Sequence, residues 1–391
     1  MSRQLGVGLY GAGNIVHDGH APAVAAGAST RLAAVCDIDE ARARTLADAY
    51  GGANIYTSLD KMLADPSVDI VIMATPNNLH RRDFEACARA GKHVLCEKPL
   101  AVTYPDAIAM ARIAEEHKIV LKTGFNQRYL NQIRMAKLAI EAGLIGEVFS
   151  FRTVFSAKWD NWVDGSNFRW DLERSGGATT NDNLIHRFDM LRYLLDDDYA
   201  EVVADVSHCV IPPVVDDNVH LMVRTNKGAR GSFIADRYSP VLGDATELYG
   251  TKGSLSFWTN AGSPFFDVPL AINTTVPMNE LPEPIRKAVY PTARSKQNRH
   301  AWDGWLSIWP PRNEWDTYAE QLAGMAEEIL SGTRDGIGAT GFDGARATEL
   351  VHAAYSSQIA RAWVSLPLAD NAPFAFPDFE GHGSDAKAGR S

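Results

Sequence analysis

Three groups of residues have side chains whose types and spacing could do chemistry. Lys98 lies in "GKHVLCEKPLAVT", where a short apolar strand, His93–Cys96, runs into Glu97, Lys98 and Pro99. An ammonium at the end of such a strand, with a proline fixing the backbone beside it, can hold a substrate hydroxyl or carbonyl and stabilise alkoxide character. A surface lysine following a strand is the plainer alternative. Asp182, His186 and Asp189 lie in "SGGATTNDNLIHRFDMLRYLL". Asp182 and His186 are four apart and share one face of a helix; Asp189 follows three later. A histidine can exchange a proton at neutral pH, and a carboxylate beside it can orient the ring or hold a hydroxyl. Gly176 and Gly177 would let a ligand approach the start of that helix. An amphipathic helix with a core histidine accounts for the same spacing. The third group is the loop in "VGLYGAGNIVHDGH". There Gly11 permits a tight turn and Gly13 a close approach to a pyrophosphate. The helix start at Asn14 and Ile15 supplies N–H donors and a positive dipole end. Val16 stands where the fingerprint has its third glycine. An ordinary strand–helix turn would look similar.

The elements that must position these groups are readable as well. Strand patterns at Leu5–Tyr10, Leu32–Cys36, Ile70–Ala74, His93–Cys96 and Ile119–Thr123 alternate with helical ones at Asp39–Tyr50, Leu79–Ala90 and Tyr104–His117. The alternation predicts a doubly wound parallel sheet, with ligands outside the carboxyl ends of the strands. The third and fourth of these strands end in "MATPNNLH" and "CEKP", which places Thr75, Pro76, Asn77, His80, Glu97 and Lys98 on the cofactor side, Lys98 near the nicotinamide end. The second ends in "AAVCDID", where Asp37 would accept hydrogen bonds from ribose hydroxyls or cap the helix beginning near Asp39. A 2′-phosphate would meet repulsion there, so NAD is favoured over NADP. After Gly124 the texture changes. A helix Gln127–Ala142 leads to a strand Val148–Phe155 and a helix Asp182–Leu195. Strand runs follow at Glu201–Val210, His220–Thr225, Gly231–Ala235, Thr246–Gly250 and Ser254–Thr259, closed by helices Trp315–Leu330 and Gly344–Ser365. The reading is an α/β chain: an NAD-binding domain at 1–123, an α+β domain with a large, mostly antiparallel open sheet at 124–368, and a tail at 369–391 that is an arm or disordered.

Composition narrows the function classes. A length of 391 residues suggests two domains, and 46% hydrophobic with 22% charged residues is a soluble globular balance. The net charge of −10 and the lack of any block of five Lys/Arg argue against nucleic acid and anionic membranes. With no leader-like start and no long apolar run, a cytoplasmic protein is expected. Cys36, Cys87, Cys96 and Cys209 fit no metal spacing and read as reduced thiols.

In combination, YGAGNI, ATPNNLH, GKHVLCEKPLA, GFNQRY, SGGATTNDNLIHRFD, YGTKGSL and AAYSSQIARAWVSLPL make the chain resemble the GFO/IDH/MocA oxidoreductases over roughly Leu5 to Leu368. The resemblance implies hydride transfer between NAD and a secondary alcohol or ketone of a carbohydrate or polyol. Lys98 would stabilise the oxyanion, His186 would be the acid/base, and Asp182 its partner or a substrate ligand. No metal would be needed. It also implies a cis Lys98–Pro99 peptide and a homo-oligomer, dimer or tetramer, formed through the second sheet. Leu184 replaces a family glycine, and Thr179, Thr180 and Asn181 replace apolar residues, changes that fall on the substrate pocket and suit a polyhydroxylated ligand. Further candidates for substrate contact are Arg128, Trp170 and Asp189. Tyr238 and the tryptophan clusters (Trp159, Trp162; Trp302, Trp305, Trp309, Trp315) are weaker ones, the second cluster fitting core or subunit contacts better. Two other functions on this scaffold would be a redox-neutral glycosidase that keeps its NAD bound, and a non-enzymatic NAD-binding regulator; the latter would be expected to lack Lys98 or His186.

Overall fold

The computed structural model describes residues 3–158, 167–209, 215–239, 243–259, 268–289, 305–313 and 316–379. Six strands form the first sheet: β1 (Leu5–Tyr10), β2 (Thr30–Cys36), β3 (Asn54–Tyr56), β4 (Ile70–Met73), β5 (His93–Cys96) and β6 (Leu121–Thr123). Their order is β3-β2-β1-β4-β5-β6 and every pair is parallel. Helices cover both faces, so the central strands must be apolar throughout. Val7, Leu9, Ile70 and Ile72 are fully buried. Strand order reverses between β1 and β4, so the GAGN and ATPN turns flank one crevice. The edge strand β3 was not expected. Three partly exposed residues are too few to show an alternating pattern. Its presence makes the ATPN and CEKP strands fourth and fifth, and leaves their carboxyl ends at the same crevice.

The second sheet has nine strands: β7 (Val148–Ser156), β8 (Tyr199–Ser207), β9 (Asn218–Thr225), β10 (Arg230–Asp236), β11 (Gly243–Gly250), β12 (Gly253–Phe257), β13 (Leu270–Thr274), β14 (Trp305–Ile308) and β15 (Val364–Ser365). The order is β14-β13-β12-β11-β7-β10-β9-β8-β15, antiparallel except for β7 beside β10. One face puts Phe151, Phe233 and Leu248 into a core shared with the helices Asn131–Glu141, Ile185–Leu195 and Gly341–Ala360. The other carries partly exposed Val154 and Ile234, exposed Met222, and the ion pairs Arg152–Glu247 and Arg224–Glu201. Trp305 lies in β14, whereas Trp159, Trp162, Trp302 and Trp315 fall outside the described residues.

Three helices depart from expectation. The run expected at Gln127–Ala142 breaks at Leu130, whose ψ of 132° separates a 3-10 turn, Asn126–Tyr129, from the helix Asn131–Glu141. The last long helix ends at Ala360, because Arg361 turns left-handed and the chain enters β15. The third departure concerns the site. A π-helical turn, Thr179–Leu184, precedes the α-helix Ile185–Leu195. Its wider winding re-aims Asp182 relative to the i,i+4 geometry expected of an α-helix.

Arg128 and Asp189, read from the sequence as substrate ligands, are instead committed to each other. Arg128 Nε and Nη2 donate to the two Asp189 oxygens at 2.7 and 2.5 Å, and Nη1 donates to the Ile337 carbonyl. The side chains are only 5% and 1% exposed, so the pair, with Asp343 a further 3.2 Å partner of Arg128, ties the 3-10 turn to the middle of the helix Ile185–Leu195. Removing one partner strands a buried charge: Arg128→Ala is expected to lose about 3–5 kcal/mol in urea unfolding. A loss under about 1 kcal/mol, the range of exposed pairs, would show that the ion pair is not what holds these helices together.

Candidate active site

The parallel ladder continues one residue past β5, where Glu97 N donates to the Met73 carbonyl at 2.9 Å. The Glu97 side chain is buried. His20 Nε2 meets its Oε1 at 2.7 Å, and Lys98 N donates to its Oε2 at 3.2 Å. Burial alone would raise this carboxyl, but the His20 hydrogen bond and the His20 and Lys98 charges bring it below the usual range. Glu97 therefore tethers the loop that ends in the cis Lys98–Pro99 peptide.

From that loop the Lys98 ammonium crosses to the π-helical turn. It donates to Asp182 Oδ1 at 2.5 Å and to the Asp182 carbonyl at 2.9 Å. The other oxygen, Oδ2, accepts from Arg237 Nη2 at 2.5 Å, with Arg169 Nε 3.6 Å away. Burial would raise the Asp182 carboxyl; the charges of Lys98, Arg237 and Arg169 outweigh it and hold the group well below the usual carboxylate range. Asp182 is thus the counter-ion of Lys98. The expectation that it orients His186 is corrected: both its oxygens face cations, and among the described residues no hydrogen bond joins it to the imidazole. Arg237 is not among the residues that the sequence singles out, although its neighbour Tyr238 is. A lone arginine ending a strand gives no sign that it will be buried to 1% exposure against Trp170 and Asp182.

His186 opens the helix after the π-helical turn and packs edge-on against buried Phe125, with ring centroids 5.8 Å apart. Its Nδ1 is buried without a hydrogen-bond partner. Burial pushes its pKa well below the usual histidine value, and the charges of Lys98 and Arg187 push it the same way. The ring is therefore neutral at neutral pH and able to take a proton. Thr180 and Asn181, expected to face a ligand, are fully buried. Thr180 is bonded to Asp216, and Asn181 donates to the Ser175 carbonyl.

The crevice between β1 and β4 fits a dinucleotide. Gly11 has φ +97°, and a side chain there would meet the Ala74 carbonyl at 2.7 Å, whereas the space over Gly13 is open. Asn14 and Ile15 lead into the helical segment at the mouth of this loop, with Asn14 exposed. The Asp37 carboxylate accepts from Ala12 N and Asp39 N, which leaves about two of its four acceptor positions for ribose hydroxyls. The helix cap is not Asp37 but Asp39, whose carboxylate accepts from Ala41 N and Arg42 N, so the cap alternative for Asp37 is corrected. The Thr75 hydroxyl is buried and unpartnered beside Pro76 at the end of β4. The His80 ring lies between the Thr75 and Pro99 carbonyls, 3.0 Å from each and able as a neutral ring to donate to one of them, and Asn77 donates to the Ser175 carbonyl, contacts that brace the crevice walls. Asp37→Ala is expected to weaken NAD far more than NADP in fluorescence titrations. Equal losses would mean that the carboxylate serves only the loop.

Fold and site together define a dinucleotide-binding oxidoreductase. The chain belongs to the GFO/IDH/MocA family: residues 5–125 match its oxidoreductase NAD-binding Rossmann fold, and residues 133–256 match the GFO/IDH/MocA C-terminal domain. It is 34% identical over 252 residues to the 1,5-anhydro-D-fructose reductase of Ensifer adhaerens, covering 63% of this chain and 74% of that one. It is 31% identical over 229 residues to the myo-inositol 2-dehydrogenase of Thermotoga maritima, covering 57% and 66%. Among solved structures, levoglucosan dehydrogenase in complex with NADH and levoglucosan is similar at a TM-score of 0.79 and 26% identity, over 94% of this chain and 100% of that one.

Proposed function

We propose that this protein is an NAD-dependent dehydrogenase acting on a secondary alcohol of a sugar, inositol or glycoside. The observation that carries the reading is the convergence of the Lys98 ammonium and the neutral His186 imidazole beside the dinucleotide crevice. Bound NAD supplies the hydride acceptor. His186 takes the proton of the substrate hydroxyl, and Lys98 stabilises the oxyanion that develops. Asp182, gripped by Arg237, fixes where the ammonium points. Trp170, stacked over Arg237, forms part of the wall on that side. In the reverse direction the same groups reduce a ketone.

The names of the relatives support the substrate class, since they act on anhydrosugars and inositol. With this reading go a division into domains at 1–123 and 124–368, a cytoplasmic location, and association of copies through the uncovered face of the nine-stranded sheet. Among the described residues no helix is long and apolar enough to cross a membrane. The test is absorbance of NADH with NAD and a panel of inositols, aldoses, anhydrosugars and glycosides. NADH formation with one class supports the dehydrogenase. Glycoside cleavage without net NADH would replace it with the redox-neutral glycosidase.

A further inference from the structure

The described chain beyond β15, to Phe379, packs back onto the body of the protein. Leu368 N donates to Glu349 Oε1 at 2.7 Å, and the Pro373 carbonyl lies 2.9 Å from His352 Nε2. Phe374, Phe376 and Phe379 then gather around Tyr355, with ring centroids 6.3, 6.2 and 5.9 Å away. Phe374 also packs edge-on to His352 at 4.9 Å and to Phe376 at 4.9 Å. Tyr355 is fully buried on the helix Gly341–Ala360. Its hydroxyl occupies the space over the Gly177 Cα, where a side chain could not stand. Gly177 has φ +127°, so close approach and backbone conformation both demand glycine there.

On the far side of Tyr355 lies the turn that carries Asp182. Asp216, fully buried, accepts from Ala178 N at 2.5 Å, Thr180 N at 2.6 Å and Thr180 Oγ1 at 2.6 Å. Its Oδ1 also lies against the Gly177 Cα, next to the Tyr355 hydroxyl. Two residues after Thr180, Asp182 receives Lys98. A continuous packed path therefore runs from the tail rings through Tyr355 and the Gly177–Thr180 backbone to the Lys98 counter-ion. Packed side chains of this kind transmit displacement because the interior is too dense to absorb it.

We propose that the segment Ala369–Phe379 is a positioning element for the active-site turn, acting through Tyr355. It touches no reacting group. It fills the space behind Tyr355, which presses on Gly177 and keeps the Gly177–Thr180 backbone on Asp216. A loosened turn would move Asp182 away from Lys98. The inference rests on the dehydrogenase reading only for its effect on turnover.

The test is hydrogen–deuterium exchange of the full-length chain without ligand, comparing the peptide 176–184 with the β4 peptide. The double variant Phe374→Ala/Phe376→Ala is expected to speed exchange in 176–184 by about tenfold while β4 exchanges as before. Tyr355→Ala should do the same, and Tyr355→Phe, which keeps the ring against the tail but removes the hydroxyl over Gly177, should speed exchange less than Tyr355→Ala does. In NAD-coupled assays with levoglucosan and myo-inositol, the double variant should lower kcat and leave the affinity for NAD unchanged. Unchanged exchange in 176–184, or a uniform rise across both peptides, would overturn the proposal. Specific exchange changes in a protein inactive on both alcohols would uphold the positioning and count against the proposed substrates.

Discussion

Lys98→Ala is expected to reduce turnover by about 10²–10³-fold, the cost of removing one preorganised donor from a developing oxyanion. The affinity for NAD should change little. The crevice residues that fit the dinucleotide, Gly11, Gly13, Asp37 and Thr75, follow the ends of β1, β2 and β4, whereas the Lys98 ammonium is held by Asp182. The variant should remain folded, because Asp182 keeps Arg237 and is not left as an unpaired buried charge. The measurement is steady-state NADH formation beside a binding titration on the same preparation. Turnover within a few-fold of the parent would remove Lys98 from the chemistry and leave it as a strut between the first sheet and the π-helical turn. Lys98→Arg separates charge from position. Its planar fork should keep the Asp182 pair yet misplace the donor, so activity should stay low.

The sequence was most informative where physics is local. β1 and β5 occur at the expected runs Leu5–Tyr10 and His93–Cys96, because a strand covered on both faces is mostly apolar. The lysine, the glycine loop and the helix histidine were legible for the same reason: each sits at a fixed offset from a strand end or a helix start. The partners were not. Arg237 reaches Asp182 across 55 residues and Lys98 reaches it across 84, and no local pattern announces either meeting. The π-helical turn was hidden as well. Thr179 to Leu184 has the composition of an ordinary helix start, and its Thr180 is held by Asp216, 36 residues further along the chain. The Pro, Gly and charge content of the tail leaves an arm and disorder both open, and only the long helix decides for its described part, because the phenylalanines at 374, 376 and 379 find Tyr355 once that helix is in place.

The acid limb of the rate profile for alcohol oxidation is expected well below pH 6.5, the ordinary histidine value of about 6.5 being displaced downward by the site. His186 must be neutral to take a proton, and burial is the main cause that keeps it so. The Lys98 and Arg187 charges add to that, and Asp182 opposes it only in part. As pH falls through 6.5, a histidine in the unfolded chain binds a proton while His186 in the fold does not. The unfolded state then holds more protons, so this residue's contribution to stability is intact above about pH 6.5 and declines as pH falls below it. Activity should survive into that range, where stability is already falling. Lys98→Met removes a repelling charge and should move the His186 titration upward; Asp182→Asn removes an attracting one and should move it further down. Both shifts are readable by NMR of the imidazole without turnover, against His186→Asn as the assignment control. That control should itself lose about 10²–10⁴-fold in rate. If His186 titrates near 6.5 and ignores Lys98, the two groups do not share a site, and the proton must leave the substrate by another route.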